Sequence, residues 1–192
     1  IMDKLRKNTT VKSSSIVSES QFFSEKELVN TGVPALNVAL SGDIDGGLAS
    51  GLTVIAGPSK HFKSNLSLIM VAAYLREHKD AVALLYDSEF GITPEYLANF
   101  DIPTDRVLHT PVEHVEQLKF DIVKQLEDIQ KKDKVIIMID SIGNLASKKE
   151  LEDAQNEKSV ADMSRAKALK GVFRIITPYL NTRDIPLICV NH

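Results

Sequence analysis

The chain has a single cysteine among its 192 residues, Cys189, set in the apolar run Ile188-Cys189-Val190. An internal disulfide framework is thereby excluded, and a reducing compartment suits such a chain. No stretch approaches the ~20 consecutive apolar residues of a membrane span, and the N-terminal residues carry no secretory-type apolar core. The expectation is therefore a protein without a membrane partner. Charge of one sign is also missing. A formal net charge of −3 gives no global support for nucleic-acid binding, so any such surface must be local. There is no internal repeat and no low-complexity tract. What remains is 43% hydrophobic content, ample for one packed domain.

The apolar residues fall into alternating strand and helix patterns. Leu52–Ala56 is a short strand-type run entered from Ser50-Gly51. Leu66, Ile69, Met70, Ala73 and Tyr74 then recur at helical spacing, predicting one apolar helix face. Residues 81–86 and 107–110 read as strands. A helix over 113–130 has Val115, Leu118, Ile122, Leu126 and Ile129 on one face, and 135–139 is a β-branched strand ending at Asp140. Met163, Ala166, Leu169, Phe173, Ile176 and Leu180 mark a further helix, which Pro178 should kink or shorten. A last strand covers 187–190. This alternation predicts an α/β fold with a mainly parallel central sheet flanked by helices.

Between the first strand and its helix lies Gly57-Pro58-Ser59-Lys60-His61-Phe62-Lys63-Ser64, followed by Asn65. Gly57, Lys63 and Ser64 have the spacing of a phosphate-binding loop, G-x-x-x-x-G-K-[ST], with Phe62 in place of the second glycine. In such a loop backbone N–H groups wrap the phosphates at a helix N-terminus, the lysine reaches the β/γ-phosphates and the hydroxyl ligates Mg²⁺. The alternative is an ordinary strand-to-helix turn that contains Gly and Lys. A second glycine tolerates φ > 0 at little cost, whereas a bulky residue there is strained. Phe62 is therefore expected either to adopt a strained conformation or to mark a loop of another shape.

In parallel sheets ligands sit beyond the carboxyl ends of the strands. Asp87 and Glu89, Asp140, and the pair Asn191-His192 each follow such an end, as the Gly57 loop does. Asp140, directly after the apolar strand 135–139, has the place of a Walker B acid gripping Mg²⁺, the alternative being a helix N-cap. Glu89 is the candidate to orient and deprotonate an attacking water, the alternative being a solvated loop acid. His192 could donate a hydrogen bond to a γ-phosphate, though a terminal histidine on a strand edge has many bland explanations. Tyr96 could stack on a base, or simply pack.

Other stretches are less specific. Residues 1–20 carry Lys4, Arg6, Lys7 and Lys12 against Asp3 and Glu19, fitting a basic docking arm or a weakly ordered terminus equally. Ser24-Glu25-Lys26-Glu27 has a capping-box pattern that predicts a short helix, with Phe22 and Phe23 just before it as a staple or a subunit anchor. Residues 1–30 are thus set apart as an arm with a short helix, and 31–192 as the core. Residues 144–174 hold seven basic residues, Lys148, Lys149 and Lys158 among them, against five acidic ones. A solvated helix face explains that balance as well as a DNA contact does. Residues 146–160 contain no aromatic, which disfavours a base-stacking platform there.

Four segments together carry a family resemblance: the 57–64 loop, Tyr86-Asp87-Ser88-Glu89-Phe90-Gly91, Ile139-Asp140-Ser141-Ile142-Gly143-Asn144-Leu145-Ala146-Ser147-Lys148-Lys149-Glu150, and Val190-Asn191-His192. From about Phe22 to His192 the chain resembles the UvsX strand-exchange recombinases of T-even-type phages, the phage branch of the RecA family. Phe62 departs from the general phosphate loop but matches this branch. The resemblance implies a RecA-type P-loop NTPase core that binds ATP and Mg²⁺, forms a helical filament on single-stranded DNA and pairs it with homologous duplex DNA. Recombination mediator and single-strand-binding proteins are implied as partners, in the cytoplasm of an infected bacterial host.

By position the resemblance makes Lys63 and Ser64 the phosphate and Mg²⁺ residues, Glu89 the catalytic carboxylate and Asp140 the Walker B acid. It puts Tyr96 on adenine and His192 at the γ-phosphate sensor. The span from about Ala146 to Val160 corresponds to the first DNA-binding loop, with Lys148, Lys149 and Lys158 as candidate contacts. In that family the second DNA-binding loop follows the position of His192, so the chain is expected to be truncated before it. Two rivals are a ring helicase on the same fold and a non-catalytic, nucleotide-switched mediator. Glu89 argues against the mediator, since a pure switch needs no water-activating carboxylate.

Overall fold

The computed structural model describes residues 1–20, 26–156 and 163–192. Five strands form one sheet: β1 (Gly51–Ala56), β2 (Val82–Asp87), β3 (Val107–Pro111), β4 (Val135–Asp140) and β5 (Pro186–Asn191). Every pairing is parallel, in the order β1-β5-β4-β2-β3. Seven helices accompany them among the described residues: α1 (Met2–Asn8), α2 (Pro34–Ser41), α3 (Lys63–Glu77), α4 (Pro94–Ala98), α5 (Val115–Asp128), α6 (Lys148–Gln155) and α7 (Ser164–Thr182). The expected α/β architecture with a parallel central sheet is observed. Among the described residues no helix is long and apolar enough to cross a membrane.

The central strands are apolar on both faces because both faces are covered. On β4, Ile137 and Ile139 point toward α5 and α7, together with Leu84, Tyr86, Leu187 and Cys189. Ile136 and Met138 point the other way, toward α3, with Ala83, Leu85 and Ile188. Each fully buried side chain of this kind stabilises the fold by about 1.5–3 kcal/mol. Burial also pushes the Cys189 thiol up to about 12, so it packs as a small apolar group rather than reacting.

Register brings the carboxyl ends of the strands level. Ala56 pairs with Asn191, and Asp87 with both Asp140 and Pro111. The loops leaving β1, β2, β4 and β5 therefore start side by side on one edge, which is what the site requires.

Several local expectations are corrected. The α3 face is wider than predicted: Leu68, Val71, Ala72 and Leu75 are buried, while Leu66 and Ile69 are only half-buried. The sheet covers one side of α3, and Val29, Leu48, Leu97 and Ile102 pack around the rest. Ser24, Glu25, Phe22 and Phe23 lie outside the described residues, and Lys26–Leu28 after them are not helical; Val29 forms an antiparallel bridge with Leu48 instead. The N-terminal residues contain α1 and a 3-10 turn at Val17–Glu19, none of them buried.

Residues 148–155, in the part of the charge-mixed 144–174 segment where no element bounds were predicted, form α6. Its signal was in the sequence as Ser147-x-x-Glu150. The Ser147 hydroxyl accepts from Glu150 N at 3.1 Å, and Glu150 Oε2 accepts from Ser147 N at 2.6 Å, a reciprocal cap. Met163 precedes α7 and is 80% exposed, so the core stripe runs through Val172, Ile176 and Leu180. Pro178 does not end α7, which runs on to Thr182; it is exposed, and the Thr182 hydroxyl donates to its carbonyl at 2.8 Å.

Candidate functional site

The 57–62 segment leaves β1 and enters α3 with two residues in the left-handed region, Lys60 at φ 63° and Phe62 at φ 57°. Of the two alternatives posed by the missing glycine, Phe62 thus adopts the conformation a glycine would have taken. Its ring is 72% exposed and contributes little packing. A left-handed non-glycine residue costs about 1–2 kcal/mol. Phe62→Gly is therefore expected to leave stability unchanged or to raise it by up to about 1 kcal/mol in urea unfolding. A loss greater than that would mean the ring is held by contacts that matter.

Phe62 is the N-cap of α3 and supplies no side-chain acceptor, so the first N–H groups of the helix face the loop without a cap. The Lys63 side chain is buried, and its ammonium donates to Pro58 O at 2.7 Å. His61 Nδ1 lies 2.8 Å from Ser59 O. Gly57 N reaches Asn191 O at 3.3 Å, tying the loop's start to the end of β5.

Around this loop a cleft of about 380 Å³ is lined by Ser59, Lys60, His61, Phe62, Lys63, Ser64, Asn65, Asp87, Glu89, Gly91, Ile92, Tyr96, Asp140 and His192. The structure thus brings together on one cleft nearly every residue singled out for nucleotide and metal chemistry; Gly57 and Pro58 support it from the strand end. Tyr96, on α4, donates its hydroxyl to Asn65 Oδ1 at 2.8 Å and packs edge-on against Phe100, which fixes the ring on the cleft wall.

Asp140 is 3% exposed, and its Oδ1 has no hydrogen-bond partner among the described residues. Burial pushes its carboxyl up, and the charges of Glu89 and Asp87 add to the rise, against the Ser64 hydroxyl beside it. An orphaned carboxylate oxygen next to a phosphate-loop serine fits a hard divalent cation, which takes oxygen ligands and keeps several waters. Among the described residues no group of three or more His, Cys, Asp or Glu forms a metal cage. A Mg²⁺ held by one hydroxyl, one carboxylate, waters and phosphates fits that.

A carboxyl raised in the folded state costs stability once pH exceeds its ordinary value, because folding then opposes ionisation. Asp140→Asn is therefore expected to raise the melting temperature of metal-free protein near pH 7, with the gain shrinking as pH falls and Asp140 protonates. The same variant is expected to lose Mg²⁺-dependent nucleotide binding. Parallel thermal scans and nucleotide titrations with and without Mg²⁺ check both halves; a variant less stable at pH 7 contradicts the electrostatic account.

Glu89 is held by a network that sequence reasoning did not find. Asp87 Oδ1 accepts from Glu89 N at 2.9 Å and Phe90 N at 2.7 Å, folding the chain back after β2, while its Oδ2 lies 3.1 Å from His109 Nε2. Asp87 therefore builds the loop that presents Glu89. The Ser141 hydroxyl donates to Glu89 Oε1 at 2.9 Å, and His192 Nε2 reaches the same oxygen at 2.5 Å. Ser88 Oγ in turn donates to Ser141 O and accepts from Ser141 N, at 2.7 and 3.0 Å. Burial alone would raise the Glu89 carboxyl, but the bonds from His192 and Ser141, with the His192 and Lys63 charges, outweigh it and hold Glu89 below its ordinary range.

His192 passes against Gly143, where a Cβ would come within 2.8 Å of its ring, so that position is closed to a side chain unless His192 shifts. Arg165, from α7, holds the same loop: Nε donates to Leu145 O at 2.6 Å, and one guanidinium NH₂ donates to Ile142 O and Gly143 O at 2.8 and 2.9 Å. Ser141 could have been noticed from its place directly after the strand-end acid. Arg165 carried no local signal, since its partners are backbone carbonyls twenty or more residues away.

Of the lysines considered for DNA, Lys148 and Lys149 stand apart from the cleft. Lys148 and Lys149 are exposed on the first turn of α6, where Lys148 N donates to Glu116 Oε2 at 2.9 Å and Lys148 Nζ lies 3.9 Å from Glu152. Lys158 lies outside the described residues.

Comparisons with known proteins give the chain its family. The family model described as RecA N-terminal domain matches residues 2–192. The chain is 54% identical over 192 residues to the "Recombination and repair protein" of Enterobacteria phage T4, covering 100% of this chain and 49% of that protein. It is 27% identical over 168 residues to "Protein RecA" of Mesomycoplasma hyopneumoniae, 87% of this chain and 47% of that one. It is 31% identical over 166 residues to "Protein RecA" of Kineococcus radiotolerans, 86% and 45% respectively. The chain spans about half the length of the curated relatives it matches.

Proposed function

Because the chain belongs to the RecA family, we propose that it is the ATP-binding and hydrolysing core of a DNA recombinase that polymerises on single-stranded DNA and promotes homologous pairing and strand exchange. The observation that carries the reading is the single cleft in which Lys63 and Ser64 of the loop face Asp140 and Glu89. That is the donor set phosphoryl transfer to water requires.

In this reading the free N–H groups at the start of α3 and the Lys63 ammonium bind the β- and γ-phosphates, Lys63 exchanging Pro58 O for phosphate oxygen. Ser64 and Asp140 hold Mg²⁺, which supplies charge neutralisation across the phosphates when bound. Tyr96 offers its face to the adenine. Glu89 orients the attacking water and accepts its proton as the oxygen–γ-phosphorus bond forms and the bond to the β–γ bridging oxygen breaks. Ser141 fixes one oxygen of Glu89 and so its direction.

His192 is the residue through which the γ-phosphate is sensed. In the present arrangement its Nε2 is spent on Glu89; a γ-phosphate in the cleft competes for that same group. ATP therefore changes both the position of His192 and the freedom of Glu89. The exposed Lys148 and Lys149, with Lys158, contribute phosphate contacts to single-stranded DNA, and such binding weakens with salt. Homologous duplex DNA, further subunits, mediator and single-strand-binding proteins are the partners of the full-length protein.

The test is a pair of assays on full-length protein with ATP and Mg²⁺, one for pairing of single-stranded DNA with homologous duplex and one for unwinding. Pairing that depends on ATP and homology supports the proposal. ATP-dependent unwinding without pairing replaces it with the ring helicase, and neither activity with retained ATP binding replaces it with the nucleotide-switched mediator.

A further inference from the structure

Glu89 is gripped at two ends. Its Oε1 accepts from Ser141 and His192, and its backbone N–H donates to Asp87 Oδ1 at 2.9 Å, beside Phe90 N at 2.7 Å. The backbone grip carries a conformational cost. Phe90 sits at φ 55°, in the left-handed region, and its ring is 61% exposed. A non-glycine residue persists there only where its surroundings over-determine the chain. So exposed a ring adds little packing, which leaves the two bonds to Asp87 Oδ1 to hold the turn. Ser88 anchors the loop one residue earlier, its N–H donating to Asp140 O at 2.8 Å and its hydroxyl bonded to Ser141. The direction of Glu89 beyond that anchor is set by Asp87.

Asp87 is in turn set from the edge of the sheet. β3 is an edge strand, and its register with β2 puts His109 opposite Leu85. Residues two apart on a strand share a face, so His109 lies diagonally across from Asp87 on one face. Its ring reaches along the strand and places Nε2 3.1 Å from Asp87 Oδ2. A carboxylate only accepts, so Nε2 donates. The Asp87 side chain is 1% exposed and that of His109 41%, so water reaches the histidine but not the carboxylate. A buried carboxylate oxygen that loses its donor is costly to leave unmade. Without His109, Asp87 relieves that cost by turning towards water, and Oδ1 then leaves Glu89 N and Phe90 N.

We propose that His109 is a positioning residue for ATP hydrolysis: through Asp87 it fixes the backbone from which Glu89 addresses the attacking water. The inference rests on the reading of Glu89 as the general base given above. In that reading a γ-phosphate competes with Glu89 for His192, so the carboxylate loses one of its two donors as the substrate arrives. The hold through Asp87 and His109 is then what keeps Glu89 aimed. His109 itself is not among the residues that line the cleft. Its loss therefore appears in kcat rather than in ATP affinity.

Steady-state hydrolysis by the full-length protein with ATP, Mg²⁺ and single-stranded DNA tests the assignment, beside titration with a fluorescent ATP analogue and thermal melts. His109→Ala is expected to lower kcat by roughly 5- to 100-fold, the upper figure being the scale of a displacement of about 1 Å at a reacting group. KM and analogue affinity are expected to stay within about threefold of the parent, because the phosphate and metal contacts are untouched. His109→Gln, whose amide nitrogen can donate from nearly the place of the imidazole Nε2, is expected to keep kcat within about threefold. His109→Val suits an edge strand and has no donor. It is expected to match His109→Ala, and it carries the test if the alanine variant melts too low to assay. The inference is overturned by normal kcat in the Ala or Val variant, by a Gln variant no better than they are, or by affinity lost in step with kcat. If Glu89→Gln abolishes turnover in the same assay, any of those results leaves the catalytic reading of Glu89 standing. Turnover that survives Glu89→Gln overturns that reading, and this inference with it.

Discussion

Lys63→Ala is expected to weaken ATP binding by roughly 10- to 1,000-fold. The ammonium is buried at the floor of the cleft, where it donates to the Pro58 carbonyl. Charge-assisted hydrogen bonds are worth about 1.5–3 kcal/mol, and losing a buried charge from a charged complex costs about 2–5 kcal/mol. The apo protein should tolerate the change better than the complex, because alanine leaves the Pro58 carbonyl without its donor while His192 and Ser141 still hold Glu89. Equilibrium titration with a fluorescent ATP analogue, beside a thermal melt, separates the two effects. Near-normal affinity in a folded variant would mean that the 57–64 loop does not cradle phosphate.

Glu89→Gln should do the reverse, keeping affinity and losing turnover. Glutamine preserves the size of the side chain and can still accept from Ser141, but it cannot take a proton from water. General-base catalysis contributes about 10²–10⁴-fold, so DNA-stimulated hydrolysis in the full-length protein should fall by that order while ATP binding stays within a few-fold. The depressed Glu89 carboxyl adds a pH expectation. A carboxylate held low by its partners contributes stability above its ordinary range, and that contribution is lost as pH falls through the lowered value. Because His192 and Ser141 supply those bonds, Glu89→Gln should flatten this part of the acid limb of the stability profile. Turnover unchanged in the Gln variant would remove Glu89 from the role.

Most of the fold was legible because the sheet is parallel and covered on both faces. Strands such as 135–139 then read as unbroken apolar runs, and their carboxyl ends can be placed on one edge before any coordinates. The loop at Gly57, Glu89, Asp140 and His192 could be placed together on that rule alone. What could not be read is how they are held. Asp87 looked like a second acid of the site, yet its carboxylate is consumed by Glu89 N, Phe90 N and His109. Ser88 and Arg165 act through backbone atoms, Ser141 through the Glu89 carboxylate and Gly143 by making room for His192, and such contacts leave no pattern in residue type. The breadth of the α3 face was missed for a related reason: the residues that cover its far side, Val29 and Leu48 among them, come from an irregular segment without periodicity.

The segment after Ser24 and α6 mark the other limit. Single-turn signals predicted a helix at Ser24, after which Lys26–Leu28 are not helical, and the equivalent signal at Ser147-x-x-Glu150 opens α6. A capping box shows where a helix can begin. Whether one forms depends on what the following residues can bury or pair, and for α6 that includes Ser147 against Ser164 at 2.7 Å and Lys148 N against Glu116.

The central claim is that the cleft at Lys63, Ser64, Glu89 and Asp140 hydrolyses ATP under the control of DNA. The rate of ATP hydrolysis by the full-length protein, with and without single-stranded DNA in Mg²⁺ buffer, tests it most directly. The account predicts turnover that rises at least tenfold on adding single-stranded DNA and is abolished by Glu89→Gln. A rate indifferent to single-stranded DNA, or one that survives Glu89→Gln, would contradict it.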